Sequence, residues 1–325
     1  MINKFRFCLP HSQSPTYFNI SKNLQAKNWR STCFAFSSHF GVRHFQFDSD
    51  AAACLEFKDK LARLIAEHCP AVMPVTYCID DQSWPVILNQ LTDDKNIWIL
   101  KPAYLNNGRH IKIFSDLQQL EAHYLSSKRL GGPHVLQQYI TAPHLLKGHK
   151  YTIRMFVVLT NYGGAYLYPH GYFNVAREAY QPTQCANLNP HLTNEHLHHD
   201  ESNVIQIPTQ QFDFFPMLYV QIKAICAAVM ISLQREHPTA FTCSKNRTLA
   251  IFGLDFIADS NMHLWLLEAN HGPCFPTHDD HPLQKYLYQD FWRAFTNSFV
   301  LPIATHQPEN EIAYHAFDPI NMRYA

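Results

Sequence analysis

The chain has 325 residues, of which 46% are hydrophobic and 16% charged, a profile typical of folded domains and not of disordered proteins. Its 26 Lys and Arg residues balance 26 Asp and Glu residues, so net charge gives no support to a nucleic-acid partner. The N-terminal residues contain no apolar secretion signal, no apolar run approaches the length of a membrane span, and the nine cysteines form no CxxC pair. We therefore expect a cytoplasmic protein with reduced thiols and no membrane partner.

The apolar pattern predicts elements along the whole chain, in the following order. Predicted are a strand at 4–9, a helix at 17–26, strands at 33–36 and 43–47, a helix at 56–68, strands at 97–102 and 111–114, a helix at 116–125, strands at 134–140, 151–159 and 164–168, and helices at 214–234 and 283–299. The polar segment 176–210 predicts a long functional loop. Strands and helices without strict alternation predict an α+β fold.

Two apolar strands around a polar turn, LAIFGLDFIADSNMHLWLLEANHGP (249–273), contain three groups with metal-ligand chemistry: Asp255, Glu268 and Asn270. Glu268 and Asn270 share one face of their strand because side chains alternate. A turn of even length places Asp255 on the same face. Carboxylate and amide oxygens are ligands that Mg²⁺ takes beside nucleotide phosphates. The alternative is a pair of ordinary strand carboxylates on a solvated face.

Cations precede this hairpin in the sequence. Lys101 ends an apolar strand before the turn-rich YLNNGRH, where it could contact phosphates or simply extend to solvent. Lys150 and Arg154 lie four residues apart in an apolar strand and therefore share a face. Two like charges on one face repel each other unless an anion lies between them, which favours a phosphate over an ordinary ion-pair network.

Other constellations are weaker. Gln137, Gln138 and Tyr139 could hydrogen-bond an adenine edge, or they could be outward polar groups of an edge strand. The cluster His196, His198 and His199 has the ligand type of a zinc site, but no cysteine is suitably spaced, and a solvated loop is the simpler interpretation. No GxSxG elbow supports a serine nucleophile, and Cys274 is expected to be a buried thiol.

A family resemblance covers most of the chain, from about residue 55 to about residue 300. The matching segments, in order and spacing, are WILKP (98–102), HVLQQYITAPHLLKGHKYTIRMFVVLT (134–160), HLTN (191–194) and FGLDFIADSNMHLWLLEANHGPC (252–274). Together they resemble the tubulin–tyrosine ligase family of ATP-grasp enzymes. The segment LEFKDKLARLI (55–65) is more similar to the short eponymous member than to its longer relatives.

The resemblance implies an ATP-grasp fold, with two α+β domains that clasp ATP between antiparallel sheets after a small N-terminal α/β domain. The implied limits are 1–55, 56–139 and 140–325. It also implies the site residues: Lys58 and Lys101 for phosphate and nucleotide, Gln137, Tyr139 and Ile140 for adenine, Lys150 and Arg154 for nucleotide binding and catalysis, Thr193 and Asn194 at the acceptor end, with Asn194 also bound to nucleotide, and Asp255, Glu268 and Asn270 for Mg²⁺.

The implied reaction uses ATP and Mg²⁺ to join a free amino acid to a carboxylate of a protein or peptide, tubulin being one candidate, through an acylphosphate on a monomeric enzyme. The alternatives are a small-molecule carboxylate–amine ligase and a weakened ATP-binding protein that acts through interactions. Two departures from the family pattern bear on this choice. Thr152 stands in place of Asp in K-x-D-x-R, and Asn174 in place of an arginine that helps to hold phosphate and acceptor; Arg177, three residues on, is a candidate substitute.

Overall fold

A computed structural model of the protein describes residues 5–10, 14–91, 96–127, 129–194, 203–243 and 245–322. The strands in these ranges are β1 (Arg6–Cys8), β2 (Arg30–Ser31), β3 (Phe40–Gly41), β4 (Thr76–Ile79), β5 (Trp98–Pro102), β6 (Lys112–Phe114), β7 (His134–Gln138), β8 (Leu145–Leu146), β9 (His149–Thr160), β10 (Gly164–Leu167), β11 (Tyr172–Ala176), β12 (Val204–Pro208), β13 (Leu249–Ala258), β14 (Leu264–His271) and β15 (Asp318–Ile320). The α-helices are α1 (Pro15–Ala26), α2 (Ser49–Glu56), α3 (Lys58–His68), α4 (Trp84–Gln90), α5 (Leu117–Tyr124), α6 (Phe215–Glu236), α7 (Gln289–Phe295) and α8 (Leu301–Ala304).

Three sheets organise these strands. A parallel sheet has the order β2-β1-β3, and an antiparallel sheet has the order β4-β7-β5-β6. The largest sheet has eight strands, with β12-β11-β9-β10-β15 in one path, β13 between β9 and β14, and β8 on β9. The long strand β9 is its centre, because it pairs antiparallel with β8, β10, β11 and β13. This mixed architecture with antiparallel sheets agrees with the predicted α+β class and is consistent with an ATP-grasp-like fold.

The strands predicted at 33–36 and 43–47 are wrong. Those segments form 3₁₀ turns, Ala35–Ser37 and Val42–Phe45. Local hydrogen bonds explain the difference, because Ser38 Oγ donates to Ala35 O over 2.7 Å and the Arg43 guanidinium donates to the same carbonyl over 2.6 Å. Such side-chain bonds to nearby carbonyls offer the backbone an alternative to strand pairing.

The helix predicted at 56–68 is confirmed as α3 (Lys58–His68), and a short helix that the sequence did not reveal, α2 (Ser49–Glu56), precedes it. Asp48 caps α2, since its carboxylate accepts from the backbone amides of Asp50 and Ala51. The helix ends at Glu56, and Phe57 is extended, with φ −82° and ψ 125°. This break places Lys58 in the first turn of α3, where its side chain is buried.

Helix α6 corrects one expectation from the sequence. It has 22 residues, and its most apolar 18-residue window has a mean hydropathy of 1.7, so by length and composition it is long and apolar enough to cross a membrane. One such helix is weak evidence, because a core helix passes the same test. Here Leu218, Ile222 and Val229 pack in the hydrophobic core beside the large sheet, which accounts for the composition.

The helix predicted at 283–299 is confirmed, and it contains two π-helical turns. A π-helical turn at Gln284–Tyr288 precedes α7, and another at Thr296–Val300 precedes α8. Phe291 and Phe295 of α7 share an aromatic core with Phe7 and Phe40 of the parallel sheet. The N-terminal residues thus pack on the C-terminal helices, and the domain limits stay a prediction.

Candidate functional site

A cavity of about 220 Å³ is lined by both antiparallel sheets. The four-stranded antiparallel sheet contributes β5 and β7, and the eight-stranded sheet contributes β9, β11, β13 and β14. All the site residues predicted above line this cavity: Lys58, Lys101, Gln137, Tyr139, Ile140, Lys150, Arg154, Thr193, Asn194, Asp255, Glu268 and Asn270. The structure therefore brings together residues that are more than 200 positions apart in the sequence. Their roles in binding remain predictions.

The two carboxylates face each other because of a β-bulge. Asp255 pairs with Glu268, as expected, but the reason given for this pairing is wrong. Ala258 pairs with Leu264, which leaves five residues between them, an odd number that by itself would set Leu267 opposite Asp255. The register shifts between Asp255 and Phe256, and the extra residue on β14 brings Glu268 onto the face of Asp255.

Arg154 lies opposite Asp255 on the neighbouring strand and makes a bidentate ion pair with it. Nε donates to Oδ1 over 2.5 Å and Nη2 donates to Oδ2 over 2.7 Å. The Asn270 amide donates to Asp255 Oδ2 and to Glu268 Oε1, each over 3.2 Å. One cation and one amide therefore hold both acids in place.

The environment shifts the pKa values of Asp255 and Glu268 in opposite directions. Burial, with the nearby charge of Glu268, raises the pKa of Asp255, although Arg154 opposes the shift. Burial also acts to raise the pKa of Glu268, but Lys58, Lys101 and the bond from Asn270 outweigh it and lower that pKa. A divalent cation between these oxygens would relieve the repulsion of two buried carboxylates.

Two lysines, Lys58 and Lys101, line the cavity on the side of the four-stranded sheet, and one of them pairs with Glu268. Lys58 Nζ donates to Leu105 O over 2.7 Å and lies 3.5 Å from Glu268 Oε2. Lys101 Nζ donates to Gln137 Oε1 over 2.8 Å. Burial lowers the pKa of Lys101 to about 8, with Glu268 opposing the shift. Gln137 is therefore an inward-facing ligand of Lys101, and not an outward group of an edge strand.

A hydrogen-bonded chain that the sequence did not reveal holds Lys150. Its ammonium donates to the Tyr139 hydroxyl over 2.8 Å and lies 4.2 Å from the centre of that ring. The same hydroxyl is 2.7 Å from Nδ1 of the buried His191, whose Nε2 is 3.2 Å from Gln184 O. Burial and the charge of Lys101 lower the pKa of Lys150 to about 7. The only signal for His191 was its place in HLTN.

The two residues that depart from the family pattern, Thr152 and Asn174, lie opposite each other on neighbouring strands. Thr152 and Asn174 pair directly across β9 and β11, both are buried, and both line the cavity. Arg177 does not take the place of the missing arginine, because it is exposed and follows the end of β11. Cys274 lines the cavity but is exposed, so the buried thiol expected from the sequence is wrong.

Other clusters with metal-ligand chemistry lie elsewhere. His196, His198 and His199 fall outside the described residues. Glu67, His68 and Glu236 meet where α3 and α6 end, with His68 Nε2 2.7 Å from Glu236 Oε1, and both acids are exposed. A histidine at a helix C-terminus paired with an exposed acid is an ordinary ion pair.

Comparison with known proteins places this cleft in a family. The family model of the tubulin-tyrosine ligase family matches residues 51–309, well over half of the chain. The chain belongs to the tubulin-tyrosine ligase family. The matched region contains every cavity residue discussed above, so the resemblance of separate motifs is confirmed over one continuous match.

Several relatives are similar over much of the chain. A probable beta-tubulin polyglutamylase of Tetrahymena thermophila is 29% identical over 253 residues, which cover 67% of this chain and 20% of that protein. The probable tubulin polyglutamylase TTLL2 of Mus musculus is 24% identical over 280 residues, 75% of this chain and 49% of the relative. Tubulin glycylase 3C of Tetrahymena thermophila is 24% identical over 202 residues, 56% and 18% respectively. The chain thus spans from about a fifth to about half of these relatives' lengths.

Proposed function

We propose that the cleft binds Mg²⁺ and ATP, and that the protein is a ligase joining a free amino acid to a carboxylate of a protein acceptor. The observation that carries this proposal is the charge of the cleft. Four cations, Lys58, Lys101, Lys150 and Arg154, line the same cavity as two carboxylates, Asp255 and Glu268, so cations outnumber carboxylates in the cleft. Buried charge without a counter-ion is costly, and a polyphosphate would supply the missing negative charge.

The donor set fits a magnesium ion. Asp255, Glu268 and Asn270 offer oxygen atoms on one face of the hairpin, and hard cations prefer such atoms. Arg154 and Asn270 occupy only part of the lone pairs of the two carboxylates, each of which has about four acceptor positions. When bound, the ion would neutralise phosphate charge beside the acids.

The proposed chemistry is the one that the family resemblance implies. An oxygen of the acceptor carboxylate attacks the γ-phosphorus of ATP, the bond from phosphorus to the ADP oxygen breaks, and an acylphosphate forms. The free-base amine of the amino acid then attacks the acyl carbon, phosphate leaves, and the nitrogen gives up a proton as the amide forms. Lys150 and Arg154 would hold the charge of the transferred phosphoryl group, and the buried setting strengthens that interaction.

The acceptor class is proposed from the relatives, whose names describe polyglutamylases and a glycylase of tubulin. We infer a carboxylate on a protein such as tubulin as acceptor, and a monomeric cytoplasmic enzyme as the working form. The small-molecule ligase remains the competing function, and the exchange of Thr152 and Asn174 is the observation that favours a weakened enzyme.

The experiment supplies the full chain with Mg²⁺, ATP, a mixture of isotope-labelled amino acids and purified tubulin, and it measures ADP release and the mass of the acceptor. The proposal predicts ADP release that requires an acceptor, together with a mass increase of one or more amino-acid residues. Glu268→Gln should abolish both signals, whereas the exposed Glu67→Gln should keep them. Labelled products that appear only on small carboxylates would favour the competing ligase, and ADP release without any ligation would contradict both.

A further inference from the structure

The charges of this neutral chain are unevenly distributed along the sequence. Residues 1–47 contain six Lys and Arg residues and no Asp or Glu, and because the whole chain is neutral, the remainder carries an equal excess of acid. Clustered charge of one sign attracts partners of the opposite sign. The basic segment also precedes the family match, which begins at residue 51, so the match gives this segment no role.

The outer face of the parallel sheet β2-β1-β3 is open to solvent. Phe7 and Phe40 are fully buried in the aromatic core, so the alternation of strand residues places Arg6 of β1 on the opposite side. Arg30 of β2 pairs directly with Arg6, and both residues are exposed. Parallel sheets are normally covered on both faces, and this one therefore offers an unusual free surface.

The arginines on this surface lack counter-charges. Arg6 and Arg30 are cross-strand neighbours, and like charges in that arrangement repel each other. Lys22 on α1 pairs with Asp279, whereas Arg6, Lys27 and Arg30 form no ion pair with any described residue. A carboxylate from a partner, placed between the two guanidinium groups, would replace this repulsion by attraction.

Two exposed aromatic rings follow β2. Phe34 is 58% exposed and Phe36 is 88% exposed, and their ring centres are 5.6 Å apart. The turn that carries them is anchored, since Phe34 N donates to Thr32 Oγ1 over 3.2 Å and Ser37 Oγ donates to Phe34 O over 3.1 Å. Apolar side chains that are held together at the surface are typical of interaction sites. The term basic face is used below for Arg6, Arg30, Phe34 and Phe36.

The strands of the basic face are connected to the mouth of the cleft. Cys274 lines the cavity and is exposed, so the chain leaves the cleft at this residue. Just beyond it, Pro276 O accepts from Asn19 Nδ2 over 3.1 Å, and Asp279 pairs with Lys22. Asn19 and Lys22 belong to α1, which links β1 to β2. The basic face is therefore part of the unit that borders the mouth.

We propose that the basic face docks an acidic surface of the acceptor protein while the acceptor carboxylate occupies the cleft. The inference rests on the proposed ligase function and adds a contact outside the family match. An anionic membrane would also match the charge and the aromatic rings. The acceptor protein is favoured because it must reach the cleft, and the basic face belongs to the unit beside the mouth of that cleft.

Fluorescence anisotropy with a labelled glutamate-rich peptide tests the basic face without any ligation. The wild-type full chain should bind the peptide, with an affinity that falls as salt is added. Arg30→Glu should weaken binding by about tenfold, because a like charge then meets the peptide. The matched control Arg235→Glu makes the same change of charge at an exposed position of α6 and should bind as the wild type does.

Equal affinity of the three proteins for the peptide, or no binding by the wild type, overturns the inference. Melting temperatures check that the variants fold, and Arg30→Gln, with a smaller expected loss, replaces the charge reversal if that variant does not fold. Sedimentation with vesicles of phosphatidylcholine and phosphatidylserine tests the membrane. Loss of vesicle binding in Arg30→Glu without loss of peptide binding would assign the face to a lipid surface and overturn the inference.

Ligation kinetics with purified tubulin test the acceptor as the occupant. Arg30→Glu should raise KM for tubulin by about tenfold and Phe36→Ser by about threefold. Met217→Ser, at an exposed apolar position of α6, should leave KM unchanged. An unchanged KM in Arg30→Glu overturns the inference and leaves the ligase function intact. Absence of ligation by the wild type overturns the proposed function and the acceptor as occupant, and the peptide measurement distinguishes this failure because it does not depend on ligation.

Discussion

Two groups of buried cations in the cleft differ in how they are neutralised. Arg154 and Lys58 have carboxylate partners, Asp255 and Glu268 respectively. Lys101 and Lys150 donate to a neutral amide and a neutral phenol, and within the described residues neither has a carboxylate in ion-pair contact. The difference appears in their pKa values, since burial lowers those of Lys101 and Lys150 to about 8 and about 7, whereas the pKa of Arg154 is raised by Asp255 against the effect of burial.

The cations with carboxylate partners are neutralised within the protein itself, whereas Lys101 and Lys150 need a bound anion to neutralise them. The Arg154–Asp255 pair is a stable structural unit, with two parallel hydrogen bonds of the kind that fixes geometry. The two lysines carry a cost of desolvation that no directly paired carboxylate offsets, so a bound polyphosphate would gain most from them. Removal of members of the two groups should therefore have opposite effects on the empty protein.

The largest effect is expected when the neutralised pair is broken. Asp255→Asn leaves the Arg154 guanidinium buried without its counter-ion and should lower the free energy of unfolding by about 3 kcal/mol. Denaturant unfolding of the empty protein measures this change. Asp290→Asn, at an exposed carboxylate paired with Arg293, serves as the control and should change stability by less than about 1 kcal/mol. Equal effects of the two substitutions would contradict the account of the pair.

Removal of an unneutralised cation should not destabilise the empty protein. Lys150→Met keeps a side chain of similar length and removes a buried ammonium that lacks a carboxylate partner, so the free energy of unfolding should stay the same or rise by about 1 kcal/mol. The same unfolding measurement applies. A loss comparable to that of Asp255→Asn would place Lys150 in the structural group and remove the distinction.

Nucleotide binding should take up protons. Phosphate charge raises the pKa of Lys150 from about 7 and that of Lys101 from about 8, so at pH 8 binding converts neutral amine to ammonium, and affinity falls as the pH rises through this range. At pH 6 both lysines are already protonated and uptake should be small. Calorimetry in buffers of different ionisation enthalpy counts the protons. Identical uptake at pH 6 and pH 8 would show that other groups titrate.

The smallest effect concerns the chain from Lys150 to His191. Tyr139→Phe keeps the ring under the ammonium but removes the hydroxyl that accepts from Lys150 and contacts His191. One such hydrogen bond is worth about 1 kcal/mol, so ATP affinity should fall by about fivefold. Tyr219→Phe on α6, outside the cavity lining, is the matched control. No change in affinity would mean that the lysine needs no support from this hydroxyl.

The sequence predicted much of the cleft because local periodicity determines which side chains share a face. Lys150 and Arg154 on β9, and Glu268 and Asn270 on β14, needed only the alternation of strand residues. The position of Asp255 opposite Glu268 depends on a β-bulge that compensates for a turn with an odd number of residues. No local sequence pattern predicted this bulge.

Features that depend on distant contacts were not predicted. His191 acts through Tyr139, 52 positions away in the sequence, so its partner is visible only in the fold. The 3₁₀ turn near Ala35 has a different cause, because local side-chain hydrogen bonds to the Ala35 carbonyl override the apolar pattern there. The pairing of Thr152 with Asn174 likewise required the register of β9 and β11, and it shows that the two departures from the family pattern are cross-strand neighbours.

The central claim is that the unneutralised lysines form the anion-binding part of a nucleotide site. Isothermal titration of ATP, in excess Mg²⁺, into the full chain, the Lys150→Met variant and the Lys223→Met variant tests it most directly, because Lys223 lies half-exposed on α6. We expect one ATP per chain, with an affinity at least about tenfold weaker for Lys150→Met and unchanged for Lys223→Met. Absence of binding to the wild type, or equal binding by all three proteins, would contradict it.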